Sequence, residues 1–185
     1  IARAREAVAI DYDGVRAVKR RALELAFSRF ERVEVAAASL RARAFARFQD
    51  AEARWLGDYA LYRALRERHA EGPWRSWPAS LRDREPAGLD EAARSLASRC
   101  HFFAYVHWIA HEPLAAARRL AGRHGVEIVG DLPFTVAVDS ADVWAQRLDF
   151  DLDASIGAPP DAFNADGQDW ALPGFRWDLV RGDGY

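Results

Sequence analysis

Apolar residues recur at intervals of three and four along most of this chain, and that spacing predicts helices. Val15, Val18, Ala22, Ala26, Phe27 and Phe30 form the first such stripe, with Asp11 or Asp13 placed to cap its N-terminus. Leu40, Ala44, Phe45 and Phe48 form a second, and Trp55, Leu56, Tyr59, Ala60, Tyr62 and Leu65 a third. Gly72-Pro73-Trp74 and Trp77-Pro78 interrupt the pattern, because proline has no N–H to donate inside a helix. Leu89 to Cys100 is expected as one further helix. Phe103, Val106, Ala110, Leu114, Ala117 and Ala121 carry helical spacing on to Arg123. Gly125 is then the expected stop, with Arg118, Arg119, Arg123 and His124 near the negative end of the helix dipole.

After Gly125 the period changes. Val126-Glu127-Ile128-Val129-Gly130 predicts a short buried strand, and Asp131-Leu132-Pro133 ends it. A helix that stops at glycine and hands over to a strand is half of an α/β unit. An acid at the C-terminal end of such a strand is where barrel enzymes place binding groups, although many such acids are only caps. The charge changes at the same place. Residues 1–125 carry 23 basic and 16 acidic side chains, whereas residues 126–185 carry 3 and 12. Two plain alternatives follow: a helical scaffold joined to loops, or a scaffold carrying a functional surface.

Composition narrows the classes. Of 185 residues 50% are hydrophobic and 29% charged, which suits a buried core and not a disordered chain. A net charge of −2 argues against a nucleic-acid binder. No apolar run approaches the ~18 residues of a membrane span, and no apolar leader is expected. The absence of methionine leads us to expect that Ile1 is not the native start. Cys100 alone cannot form an intramolecular disulfide and is expected to be inert packing.

Metal chemistry finds little support. Asp149, Asp151 and Asp153 alternate like the start of a calcium loop, but Ala154 and Pro160 stand where such a loop needs Gly and Glu. His107 and His111 share a helical face, without the glutamate of the zincin signature or an evident third ligand. There is no glycine-rich phosphate loop and no nucleophile elbow.

Two C-terminal motifs are more specific. Gly130-Asp131-Leu132-Pro133-Phe134 precedes Asp139-Ser140-Ala141-Asp142-Val143-Trp144. Gly157-Ala158-Pro159-Pro160-Asp161-Ala162-Phe163 leads to Gly167-Gln168-Asp169-Trp170 and Leu172-Pro173. Together they resemble the 4-α-glucanotransferases, or amylomaltases, of glycoside hydrolase family 77. Asp11-Tyr12, Trp55-Leu56, Asp58-Tyr59-Ala60-Leu61, Trp74 and Trp77-Pro78 are similar to the stretch preceding those motifs, so the resemblance covers nearly the whole chain.

The resemblance implies an α/β fold: part of a (β/α)₈ TIM barrel. Residues 1–124 would be a helical insertion and the helix leading into the barrel. Residues 125–185 would be a barrel strand and an active-site loop. It implies cytoplasmic transfer of α-1,4-glucan segments between maltooligosaccharides, with no cofactor and no metal, and leaves the oligomeric state open. The family's nucleophile sits in an Arg-x-Asp-His motif that these 185 residues do not contain, so no catalytic residue is expected here. The residues expected to touch substrate are Asp131 beside the transferred sugar, Asp161 near the acid/base group, Phe163 on the acceptor side, and Gln168 and Trp170 on the donor. Sugars offer apolar ring faces to aromatics and hydroxyls to carboxylates and amides, which fits those types. Plainer roles compete: Trp144 and Trp170 as core, Asp139 and Asp142 as turn caps. A non-catalytic carbohydrate-binding or helical interaction piece is the alternative reading.

Three positions depart from the family pattern. Ala171 stands where glycine usually follows the tryptophan, at a turn needing positive φ. Ala162 replaces a common aromatic. Pro113 lies within a helical stretch, where it is expected to cost about 3 kcal/mol.

Overall fold

The structure, a computed structural model, describes residues 9–182, so the expectation for Ile1 lies outside the described residues. Helix α1 (Tyr12–Arg29) is capped by Asp11, whose side chain accepts from the Gly14 N–H at 2.9 Å. It runs into a π-helical turn, Phe30–Val35. Ser39 caps α2 (Leu40–Ala51), and α3 spans Ala53–Arg68. A 3₁₀ turn, Trp74–Ser76, and the short α4 (Ala79–Arg82) follow the proline breaks.

Helix α5 (Pro86–Ser95) starts on proline, whose missing N–H would be unpaired there anyway. The single helix expected from Leu89 to Cys100 is two. Leu96 leaves helical geometry at φ −111°, ψ 14°, and α6 (Ala97–Arg123) starts beyond it. Apolar spacing runs on across Leu96, so periodicity could not register a one-residue break. Pro113 lies inside α6 without interrupting it. Gly125 ends the helix at φ +68°, and the Val126 N–H reaches back to the Ala121 carbonyl at 3.0 Å.

The buried strand expected at residues 126–130 is not formed. The segment belongs to no ladder, and Val129 is 91% exposed. A strand needs a neighbour for its N–H and C=O groups, and the two described strands already pair with each other. Downstream come α7 (Ala141–Ala145), β1 (Phe150–Ala158), β2 (Gln168–Phe175) and α8 (Trp177–Gly182). The segment expected as a loop from Gly157 to Pro173 is therefore largely an antiparallel hairpin, with residues 159–167 as its tip.

Two apolar clusters hold the helical layer. In one, Phe27 and Phe30 of α1 and its π turn meet Phe45 of α2 and Tyr105 and Trp108 of α6. In the other, Tyr62 and Leu65 of α3 meet Trp77, Val143, Trp144 and Phe150. Trp144 is fully buried, and its indole N–H donates to the Leu81 carbonyl at 2.9 Å. The Arg84 guanidinium lies 4.3 Å from the centre of its ring. Trp144 is thus core, the plainer of the two roles open to it. Through Trp144 and Phe150, the second cluster fixes the root of the hairpin against the helices.

Candidate functional site

Four of the five expected substrate-contact residues lie on the hairpin. Apolar side chains anchor its open end, where Phe150 pairs with Phe175, ring centres 4.8 Å apart, and Phe175 meets Trp177 at 5.2 Å. Its far end depends on glycine. A Cβ on Gly157 would lie 1.9 Å from the Gln168 carbonyl oxygen. Gly167 adopts φ +72° where a Cβ would meet the Ala158 carbonyl at 2.7 Å. Any side chain at Gly157 would force the strands apart.

At the tip, Asp161 Oδ1 accepts from the N–H groups of Phe163 and Asn164, both at 2.8 Å. The Asp161 N–H donates to the Asn164 carbonyl at 2.9 Å. This closed turn holds Phe163 out in solvent, 98% exposed. On β2, Gln168 Oε1 accepts from the Trp170 indole N–H at 3.1 Å. That bond ties the amide to the ring and leaves the indole 41% exposed. Trp170 is therefore not core.

Asp169 faces the other way. Its Oδ1 accepts from the Ser155 hydroxyl at 2.5 Å and from the Ala171 N–H at 2.8 Å. These donors, the hydroxyl first, hold its carboxyl below the usual carboxylate range. The same contact secures Ala171 at φ +53°, the positive φ expected at that turn.

Asp131 stands apart. It is exposed on the segment after α6, and among the described residues no hydrogen bond joins it to the hairpin. That segment is tied down near Val138 and Asp139. The Trp74 indole N–H donates to the Val138 carbonyl at 2.9 Å, and the Tyr62 hydroxyl to the Asp139 carbonyl at 2.8 Å. Asp139 also pairs with Arg66. The cap of α7 is not Asp139 but Ser140, which accepts from the Val143 N–H at 3.2 Å. The role of Asp139 between elements is one that sequence spacing does not carry, since its partners lie 65 or more residues away.

The histidines sit among aromatic rings. His107 lies edge-on to Tyr59 at 4.4 Å and to Trp55 at 5.1 Å, and His111 lies 5.1 Å from Phe48. Burial pushes His107 below its ordinary pKa and the Cys100 thiol above its own. No helix among the described residues is long and apolar enough to cross a membrane.

A helical scaffold presents a glycine-closed hairpin with a bare phenylalanine, a half-open tryptophan and an amide outside, side-chain types that can pack against a polar ligand with apolar faces. The family model described as 4-alpha-glucanotransferase matches residues 1–185, and the chain belongs to that family. A 4-alpha-glucanotransferase of Thermus thermophilus is 41% identical over 182 residues, 95% of this chain and 36% of the relative. One from Mycobacterium bovis is 36% identical over 178 residues, 95% of this chain and 24% of the relative. An amylomaltase of Streptococcus agalactiae, solved in complex with acarbose, superposes with a TM-score of 0.83 at 27% identity, over 94% of this chain and 35% of that one. The chain thus spans between about a quarter and about a third of the length of these relatives.

Proposed function

We propose that the protein to which this chain belongs is a retaining 4-α-glucanotransferase, which moves α-1,4-glucan segments between maltooligosaccharides. Family membership along every residue is the observation that carries this. In a retaining reaction a carboxylate attacks the anomeric carbon while a second carboxyl, about 5 Å away, protonates the leaving oxygen. A glucan 4-hydroxyl then replaces water in resolving the glycosyl-enzyme. Those reacting carboxyls lie outside these 185 residues, and this chain contributes substrate contacts.

In this reading residues 126–130 are a barrel strand of a (β/α)₈ fold, paired by strands from elsewhere in the protein. The exposed apolar side chains of Val126, Ile128 and Val129 support it. Residues 1–124 are the helical insertion with the helix that leads into the barrel. The hairpin covers the cleft: Phe163 meets the acceptor, Gln168 and Trp170 the donor, Asp161 the neighbourhood of the general acid, and Asp131 the transferred sugar. A chain with one free cysteine suits a reducing, cytoplasmic setting. No cofactor is needed.

The test is incubation of the full-length protein with maltotriose. Glucose together with maltopentaose and longer products is expected. Glucose and maltose alone would mean hydrolysis, and no turnover at all would overturn the assignment. The 185-residue chain by itself is expected to release nothing.

A further inference from the structure

The hairpin is opened by two opposed bulges. Between paired positions β1 advances from Asp151 to Ile156 while β2 advances only from Gly174 to Leu172. Then β2 advances from Leu172 to Asp169 while β1 moves from Ile156 to Gly157. Bulges of this kind disrupt the ladder and re-aim side chains, and they recur beside functional sites. Beside them lies a solvent-open cavity of about 280 Å³ between the strands and the 3₁₀ turn that carries Arg75. The opening is held under strain, since Ala171 keeps its positive φ through Asp169 and Ser155.

The walls are chemically mixed. Leu152 and Leu172 supply apolar surface, while Asp153, Ser155, Asp169 and Arg75 supply acceptors and donors. Arg75 makes no ion pair among the described residues and rests 5.7 Å from the Trp74 ring centre. Two carboxylates against one guanidinium disfavour an anion. A neutral polyol fits better, because its hydroxyls can donate to carboxylates and accept from a guanidinium while its C–H faces lie on leucine. The volume falls just below the ~300–1,000 Å³ of pockets that take a drug-sized ligand, which leaves room for one sugar ring. Neither Gln168 nor Trp170 lines it. Those two residues bond to each other on one side of β2, and Asp169 bonds to Ala171 on the other.

We propose that this cavity is a second saccharide site, which takes one glucose unit of a longer α-1,4-glucan on the face of the hairpin away from Gln168 and Trp170. It rests on the glucanotransferase reading above. Its use is to hold long chains by a contact that short ones do not reach.

The experiment uses full-length protein, migrating in native gels with and without amylose and assayed with amylose and with maltotriose. Arg75→Ala removes the donor. Ala154→Trp fills the cavity while leaving every polar group in place. Melting curves establish that each variant is folded. In either folded variant we expect retardation by amylose to weaken about threefold or more in apparent Kd, and the ratio of kcat/KM for amylose to that for maltotriose to fall by a similar factor. If wild type transfers glucan and both variants match it in retardation and in that ratio, the cavity is not a sugar site, and the glucanotransferase reading stands. If wild type neither transfers nor is retarded, the glucan reading fails as a whole.

Discussion

The Trp74 backbone N–H donates to Asp139 Oδ1 at 3.0 Å, joining the 3₁₀ turn of the helical layer to the segment that leads out of Asp131. The other carboxylate oxygen of Asp139 takes the Arg66 guanidinium, and its backbone carbonyl takes the Tyr62 hydroxyl. Burial, with Asp139 beside it, pushes the Tyr62 phenol above its ordinary pKa, so the hydroxyl stays a donor throughout the neutral range. One aspartate therefore closes three contacts from α3 and the 3₁₀ turn, and the exposed run from Val126 to Phe134 is fixed at its far end.

Asp139→Ala should destabilise the protein by about 2 kcal/mol, because it leaves the Trp74 N–H unpaired and takes from a largely buried guanidinium its nearest carboxylate, with only Glu71 at 3.5 Å remaining. This is below the ~3–5 kcal/mol of a fully buried broken pair, since the carboxylate is 32% exposed. Asp139→Asn keeps an acceptor for the Trp74 N–H and should lose about half as much. Urea unfolding of both variants checks this. Equal midpoints for wild type and Asp139→Ala would mean that the clasp contributes nothing.

In the full-length protein, Trp170→Ala should leave the melting temperature nearly unchanged, because the ring is 41% exposed and holds only Gln168. Losing a ring that stacks on sugar should remove about 1–3 kcal/mol of transition-state binding, roughly ten- to hundredfold in kcat/KM on long donors. A variant that folds and transfers normally would take Trp170 out of the site.

Much of the helical layer was legible because each helix buries one stripe, and a stripe of period 3.6 can be read without knowing its partner. Asp11 as cap and Gly125 as stop were legible for the same local reason. The hairpin was not. Asp149, Asp151 and Asp153 place acids at alternate positions of a strand start, and the opposed bulges then break the period-2 signal that would have shown β1. The strand expected at residues 126–130 had the right composition, but strand formation depends on partners that periodicity cannot supply. For the candidate site, the motif carried Asp161, Phe163, Gln168 and Trp170 onto one hairpin. The joints made by Asp139 and Asp169 depend on contacts that only the folded chain brings together.

Ala171→Gly should stabilise the protein by about 0.5–1 kcal/mol. The native φ of +53° strains a residue with a Cβ and suits glycine, and relief of that strain outweighs the greater freedom of glycine in the unfolded chain. The Asp169 contact to the backbone N–H is retained in the variant. A rise in the urea midpoint with unchanged slope is the expected result. A fall would mean that the bulge is not strained at Ala171.

Stability should decline in mild acid through His107. Its ring is packed against Tyr59 and Trp55, with Val106 and Trp108 beside it on α6 and Arg63 near Tyr59, and among the described residues no carboxylate pairs with it. Desolvation is the cause of its lowered pKa. The unfolded chain therefore binds a proton near the ordinary value of 6.5, before the folded chain does. The contribution is fully present above that value, where His107 is neutral in both states. It is lost as pH falls from 6.5 towards the folded pKa. A single profile would mix His107 with every other titrating group, so the informative quantity is the difference between wild type and His107→Gln, which cannot charge. Urea midpoints taken from pH 8 to pH 5 should fall more steeply below 6.5 for wild type than for the variant, with parallel curves above it. Parallel curves throughout would show that the ring is solvated well enough to charge in place.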